Sequence, residues 1–275
     1  MLKDITLGQF FPGRSVLHRS DPRMKIILTM LYIIVVFLSE STVAYLVTVA
    51  FTLGLAIISR INVRVILKGL KPLLFIMIFT AFFNIFWTKG ESEPLLQYGV
   101  IKIYKEGIIF AVKMIVRVAC VLTGSSVILT YTTSPIALTD GLERLLSPLK
   151  KIKLPVHEFS MMMTIALRFI PTLIEETDKI MNAQKARGAD FSSGGLIKRT
   201  KALLPVLIPL FASSFRRAGE LATAMECRCY RGDKGRTRMT QLKYKPVDFV
   251  LLTVMVIYGA GVILSNIYLG QLLAI

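Results

Sequence analysis

HEFSMMMTIALRFIPTLIEETDKIMNAQKARG (His157–Gly188) and LLPVLIPLFASSFRRAGELATAMECRCYR (Leu203–Arg231) are the stretches that decide how this chain is built. In the first, Phe159, Met162, Ala166, Phe169, Leu173, Ile180 and Met181 recur at helical spacing. Glu158, Arg168, Glu175, Glu176, Asp178, Lys179, Asn182 and Lys185 fall off that stripe. In the second, Leu203, Leu207, Leu210, Ser214, Ala218, Leu221 and Met225 step by three or four, with Arg216, Arg217, Glu220, Thr223 and Glu226 elsewhere. Charges interrupt both windows well short of the roughly 20 apolar residues that a spanning helix needs. The pattern predicts two long amphipathic helices at or under a membrane surface, the first roughly 46 Å long if continuous, with Pro171 as a kink site. Each ends in an arginine motif, Ala186-Arg187-Gly188 and Cys227-Arg228-Cys229.

The membrane is implied by what surrounds them. A chain of 275 residues that is 54% apolar reads as an all-α integral membrane protein. About five transmembrane helices are expected. The first begins at Asp21-Pro22, a cap followed by proline at the first helical position, and runs to Leu38. The others cover Val43–Ser59, Pro72–Trp87 (ending a helix that starts near Asn62), Ile108–Tyr131 and Val247–Tyr268. Residues 1–131 thus hold an N-terminal segment and four spans, 132–245 a region of amphipathic helices, and 246–275 the last span. The N-terminal segment up to Asp21 lacks the apolar core and small-residue cleavage site of a signal peptide.

The formal charge of +17 matters through its placement. Lys3, Arg14, Arg19, Arg23 and Lys25 precede or open the first span, and Arg60, Arg64, Lys68 and Lys71 separate the second from the third. The first-to-second connection and the tail carry none, and residues 132–245 hold 20 Lys/Arg against 10 Asp/Glu. The positive-inside rule then places the N-terminus and the large insertion in the cytoplasm and the C-terminus outside. With Cys227 and Cys229 on the cytoplasmic side and Cys120 in a span, free thiols are expected.

Lys113 and Arg117 share a face of the fourth span, and a structural role facing other helices outweighs an ion path, because no carboxylate is there to pair with except Asp248. After it, Ser134-Pro135 opens a short amphipathic helix, Ile136–Leu149, closed by Lys150-Lys151-Ile152-Lys153, an interfacial pattern. Ser214, Ala218 and Ala222 form a small-residue strip that would let the two long helices cross closely and present their ends as separate tips.

Catalytic signatures are missing from the sequence. No glycine loop is followed by Lys-Ser or Lys-Thr, so no P-loop is expected. His157-Glu158 lacks the second histidine of a zinc-protease helix, and Cys227-x-Cys229 is a weak metal signal without further ligands. Glu175, Glu176 and Asp178 read as a solvated helix face. No catalytic residue, metal or cofactor is therefore assigned. A stand-alone secondary transporter or channel would show repeats and charged pairs within spans, which are not evident. A pure polyanion binder, of lipid or nucleic acid, would carry denser basic blocks than these interleaved charges. Lipid headgroups are expected to meet Lys198-Arg199-x-Lys201 and the Arg231–Arg238 cluster; no nucleic acid is expected.

Arg187 can be read in two ways. Gly188 can adopt the left-handed conformation that closes a helix, leaving the Arg187 guanidinium at a tip where it could meet a carboxylate bidentately. Alternatively it satisfies the last carbonyls of its own helix.

Ala166-Leu167-Arg168-Phe169-Ile170-Pro171-Thr172-Leu173, Ala183-Gln184-Lys185-Ala186-Arg187-Gly188-Ala189-Asp190-Phe191 and Ala224-Met225-Glu226-Cys227-Arg228-Cys229-Tyr230-Arg231-Gly232 resemble the T component of energy-coupling factor transporters. So do Leu17-His18-Arg19-Ser20-Asp21-Pro22-Arg23-Met24-Lys25, Thr132-Thr133-Ser134-Pro135 and Gly235-Arg236-Thr237-Arg238, so that the resemblance covers nearly the whole chain. It implies a non-enzymatic scaffold in a prokaryotic cell membrane, part of an importer of vitamins or other micronutrients. Its partners would be two cytoplasmic ATPase subunits, which hold ATP and magnesium, and a small substrate-binding membrane subunit. In the family each of two long coupling helices ends in an arginine motif that docks into one ATPase. Here those positions are Ala186, Arg187 and Gly188, and Cys227, Arg228 and Cys229. Candidate contacts to the substrate subunit are Phe159, Met162, Met163 and Phe169, and Leu207, Leu210 and Phe211. One departure stands out: Cys229 replaces the glycine usual in the second motif. Because cysteine takes a positive φ less readily, the second helix is expected to run on toward Gly232.

Overall fold

A computed structural model describes residues 10–87, 96–98, 101–153, 155–189, 191, 195–232 and 241–268. The chain divides into two compact units, one formed by Gly8–Gly141 with Leu242–Ile275 and the other comprising Leu142–Gln241.

The first unit is a helical bundle. A short helix α1 (Val16–Arg19) leads into α2 (Pro22–Leu38), α3 (Thr42–Ser59), α4 (Val63–Trp87), α5 (Lys105–Ser125) and, after the second unit, α9 (Pro246–Tyr268). α5 continues as a π-helical stretch, Ser126–Thr130, and a small antiparallel hairpin, β1 (Leu96–Tyr98) with β2 (Ile101–Ile103), precedes it. Among the described residues four helices are long and apolar enough to cross a membrane: α3, α4, α5 with its π-helical extension, and α9. α2, the first expected span, has 17 residues, at the lower limit for crossing a bilayer core. It packs against α5 and α9, and its Leu28, Tyr32 and Val36 are fully buried in the core.

Polar groups inside this bundle bond across helices, as they must where water is excluded. Tyr32 Oη donates to the Cys120 carbonyl at 2.8 Å and lies 2.7 Å from Thr52 Oγ1, while Tyr258 Oη donates to Thr48 Oγ1 at 3.0 Å. The two intramembrane cations serve the end of α2. Arg117 donates at 2.8 Å to the carbonyl of Ser39, the C-cap of α2 at the negative pole of its dipole, and Lys113 Nζ at 3.1 Å to the Glu40 carbonyl just beyond it. Their role is structural, but Asp248 is not their counter-charge.

Asp248 lies instead at the opposite ends of the helices. The Asp21 side chain accepts from the Arg23 amide at 2.9 Å and caps α2, with Pro22 in the first turn. Asp248, in the first turn of α9, accepts the Lys245 amide at 2.7 Å on one oxygen and the Asp21 amide at 2.9 Å on the other. Lys25 is buried beside them and donates to the Thr132 carbonyl at 2.8 Å, and the Arg23 guanidinium stacks on Tyr244 at 4.0 Å. The Leu17–Lys25 motif is thus a structural corner that gathers the starts of α2 and α9 and the exit from α5.

α6 (Pro135–Leu146) starts in this unit, where the Ser134 hydroxyl accepts from the Ala137 amide at 3.3 Å, and ends in the other. Beyond it lie a 3₁₀ stretch, Ser147–Ile152, and two long helices, α7 (Val156–Ala186) and α8 (Leu196–Cys227). Pro171, Pro205 and Pro209 are accommodated inside continuous helices. Residues 88–95, with Lys89, Glu91 and Glu93, lie outside the described ones. So do Asp190, residues 233–240 and the side chains of Lys198 and Arg199.

Candidate functional site: the two arginine tips

α7 and α8 run antiparallel. At one end Tyr230 Oη donates to Met161 Sδ at 3.1 Å; at the other, Gln184 Nε2 donates to the Pro205 carbonyl at 3.5 Å. Between them Glu176 accepts from the Ser213 hydroxyl and, at 2.6 Å, from Arg217. The hydrogen bond from Ser213, aided by the Arg217 charge, holds the Glu176 carboxyl below its ordinary pKa. At the start of α7, His157 Nδ1 lies 3.0 Å from Glu143 Oε1, both buried.

The small-residue strip does face α7. Ser214, Ala218 and Ala222, with Leu221 and Met225, stand opposite Ile165, Phe169 and Leu173 across an apolar groove of about 330 Å³. The small side chains leave this space rather than closing it.

The antiparallel pairing puts the two arginine motifs at opposite ends of the pair. Arg228 lies near the Met161 end, and 26 helical residues separate that level from Arg187, roughly 40 Å. The two tips share one backbone design. At the first, Gly188 N–H donates to the Lys185 carbonyl at 2.9 Å and Ala189 N–H to the Gln184 carbonyl at 3.0 Å, with Gly188 at φ 90°. At the second, Cys229 N–H donates to the Glu226 carbonyl at 2.8 Å and Tyr230 N–H to the Met225 carbonyl at 3.1 Å. Both are Schellman closures. The expectation that α8 runs on toward Gly232 is therefore overturned: the helix ends at Cys227, and Cys229 itself takes the left-handed conformation at φ 57°. The two closure bonds outweigh the steric cost, about 1–2 kcal/mol, of placing a Cβ in that region.

These closures also bear on the two readings of Arg187. Backbone amides already occupy the Gln184 and Lys185 carbonyls at the first tip and the Met225 and Glu226 carbonyls at the second, so the guanidinium is not required for those. Arg187 and Arg228 are both exposed, and among the described residues neither makes an ion pair. Ala186, Gly188, Cys227 and Cys229 are exposed beside them.

The apolar candidates divide. Phe159, Met162, Met163, Leu207 and Phe211 are exposed, whereas Leu210 is half-buried and Phe169 turns into the groove toward α8. The exposed face of α8 also includes Leu204, Ile208 and Phe215, which the sequence could have disclosed as a second stripe at positions 204, 208, 211 and 215.

Among the described residues no group of three or more His, Cys, Asp or Glu side chains could hold a metal ion. A family model described as CbiQ, cobalt transport protein, matches residues 13–239. The energy-coupling factor transporter transmembrane protein EcfT of Ruminiclostridium cellulolyticum is 54% identical over 97% of this chain and 98% of its own length. The protein of the same name from Clostridium kluyveri is 51% identical over 98% of this chain and all of the relative. That from Bacillus subtilis is 44% identical over 94% of this chain and 97% of its own.

Proposed function

This chain belongs to the CbiQ, cobalt transport protein, family and is the T component of an energy-coupling factor transporter; from that premise we propose that its two arginine tips each engage one cytoplasmic ATPase subunit. The observation that carries this reading is the pair of matching helix closures, each leaving an exposed arginine beside helix carbonyls that backbone amides have begun to satisfy, Gln184 and Lys185 at one tip and Met225 and Glu226 at the other. A planar guanidinium so presented suits bidentate recognition of a carboxylate in a groove. Tips roughly 40 Å apart suit two separate ATPases rather than one.

The chain then acts as a scaffold without chemistry of its own. ATP and magnesium belong to the ATPases, whose opening and closing displaces the tips. α7 and α8 carry the displacement to a small substrate-binding membrane subunit seated on exposed apolar residues such as Phe159, Met162, Leu207 and Phe211. The cargo, a vitamin or other micronutrient, is chosen by that subunit. The complex sits in the cell membrane with the N-terminus and the tips on the cytoplasmic side.

The test is purification of the tagged chain from its own membranes in mild detergent, as wild type and as the Arg187→Ala/Arg228→Ala double variant. Wild type should recover two ATPases and a small hydrophobic subunit. Removing a buried interfacial charge costs about 2–5 kcal/mol, so the double variant should lose both ATPases while keeping the folded membrane unit. A double variant that keeps its ATPases and its ATP-driven uptake would overturn the reading.

A further inference from the structure

α4 differs from the other spans in how its charge is arranged. Its sequence contains no Asp or Glu, and its cations, Arg64, Lys68 and Lys71, are all exposed. At 100° per residue these three stand within a sector of about 60°. The opposite side is the packed one. Ile66 is buried, Leu70 is half-buried, and Gly69 sits so close to Tyr131 that an added Cβ would lie 2.7 Å from the tyrosine oxygen. Among the described residues none of the three cations makes an ion pair. Like charges three and four apart on a helix repel one another, so the arrangement is unfavourable until an anion joins it.

The same outward sector changes character further along. Phe75, Ile78, Phe79, Phe82 and Phe86 continue it, and all are exposed; Phe75 alone is 76% accessible. The helix closes on Trp87, also exposed, a residue suited to the membrane–water boundary. Counting about 20 residues back from Trp87, the number that spans the hydrocarbon core, reaches Lys68. Arg64 and Lys68 then stand at headgroup level, and Lys71 reaches it by extending its stem. From Lys71 inward, roughly ten residues cover the 15 Å depth of one leaflet.

We propose that this face of α4 binds an anionic phospholipid, its phosphate held by Arg64, Lys68 and Lys71 and its acyl chains lying along Phe75, Ile78 and Phe79. Charge complementarity selects the headgroup, and the apolar continuation of the same sector selects a lipid over a soluble phosphate. The proposal rests on the spanning helix alone and is independent of how the tips engage ATPases.

The experiment places the purified full chain in nanodiscs of equimolar phosphatidylcholine and phosphatidylglycerol and counts the lipids it retains by native mass spectrometry. Wild type should retain phosphatidylglycerol with an enrichment on the order of tenfold, and Arg64→Gln/Lys68→Gln/Lys71→Gln should lose it. Should the triple variant fail to insert, Lys68→Gln, which keeps Arg60, Arg64 and Lys71, should reduce the enrichment severalfold. No enrichment in wild type, or enrichment untouched by these substitutions, overturns the proposal. Full displacement of the retained lipid by soluble glycerol phosphate would show that the site reads phosphate only. Loss of the enrichment when partner subunits co-purify would assign the face to a protein. Either of those outcomes also overturns it.

Discussion

Asp248 accepts the backbone amide of Asp21 at 2.9 Å across 227 positions of sequence, and its other oxygen accepts the Lys245 amide at 2.7 Å. Asp21 and Lys245 occupy the N-cap positions of α2 and α9, so one fully buried carboxylate serves two helix starts at their positive poles. Buried Lys25 lies within its electrostatic reach and holds Thr132 at the exit of α5. Three distant pieces of chain thereby meet in one polar knot inside an apolar bundle.

Removing that carboxylate should be costly. Asp248→Ala strands the buried Asp21 amide and the part-buried Lys245 amide and leaves the Lys25 charge with less compensation, a loss of about 3–5 kcal/mol. Thermal unfolding followed by circular dichroism in detergent should show the drop. Asp248→Asn, which keeps one acceptor oxygen, should fall between wild type and alanine. Equal melting of wild type and the alanine variant would refute the role of the knot.

A second prediction concerns close approach. A Cβ added at Gly124 would stand 2.3 Å from the Tyr32 ring, which is fully buried and tied by its hydroxyl to Thr52 and Cys120. The ring cannot retreat, so Gly124→Ala should destabilise the bundle by about 1–3 kcal/mol through overpacking. Tyr32→Leu opens the space. In a double-mutant cycle Gly124→Ala should therefore cost less on the Tyr32→Leu background than on wild type.

Much of this fold was legible because the deciding signals are local. Helical periodicity gives α7 and α8, Asp21-Pro22 gives the start of α2, and uninterrupted apolar runs give α3, α4 and α9. The arginine tips were legible as residues, since Gly188 is a local stop signal. The partners of Lys113 and Arg117 were not, because backbone carbonyls at Ser39 and Glu40 leave no trace in side-chain chemistry. Asp248 misled for a related reason: its two acceptor roles are toward amides, which any residue supplies. Cys229 was misread because a propensity was weighed without the two closure bonds that oppose it.

That misreading yields the third prediction. Cys229 sits at φ 57° with its Cβ in an unfavourable region, whereas glycine would carry no such cost. Cys229→Gly should leave the closure of α8 unchanged and stabilise it by about 0.5–1 kcal/mol, after the greater chain entropy of glycine is allowed for. Cys229→Val, branched at Cβ, should do the opposite. Hydrogen exchange of the Cys229 and Tyr230 amides reads both: slower in the glycine variant, faster in the valine variant. Faster exchange with glycine would refute the account.

The last prediction is a pH dependence within the α7–α8 pair. Glu176 accepts from Ser213 and Arg217, and these interactions favour its charged form, so its pKa in the folded chain lies below the ordinary 4.5. A group depressed on folding contributes stability that is fully present above the ordinary value and lost as pH falls through the folded one. The helix pair should therefore hold steady from neutral pH down to about pH 5 and loosen below 4.5. Glu176→Gln should flatten that acid limb while lowering stability at neutral pH, since the amide keeps an acceptor for Ser213 but loses the charge facing Arg217. The measurement is the accessibility of Ala218 and Ala222, across the groove from α7, each replaced singly by cysteine in a chain whose native cysteines are serine and titrated with a thiol reagent that reacts independently of pH. An acid limb as steep in Glu176→Gln as in the parent would show that another carboxylate governs the pairing.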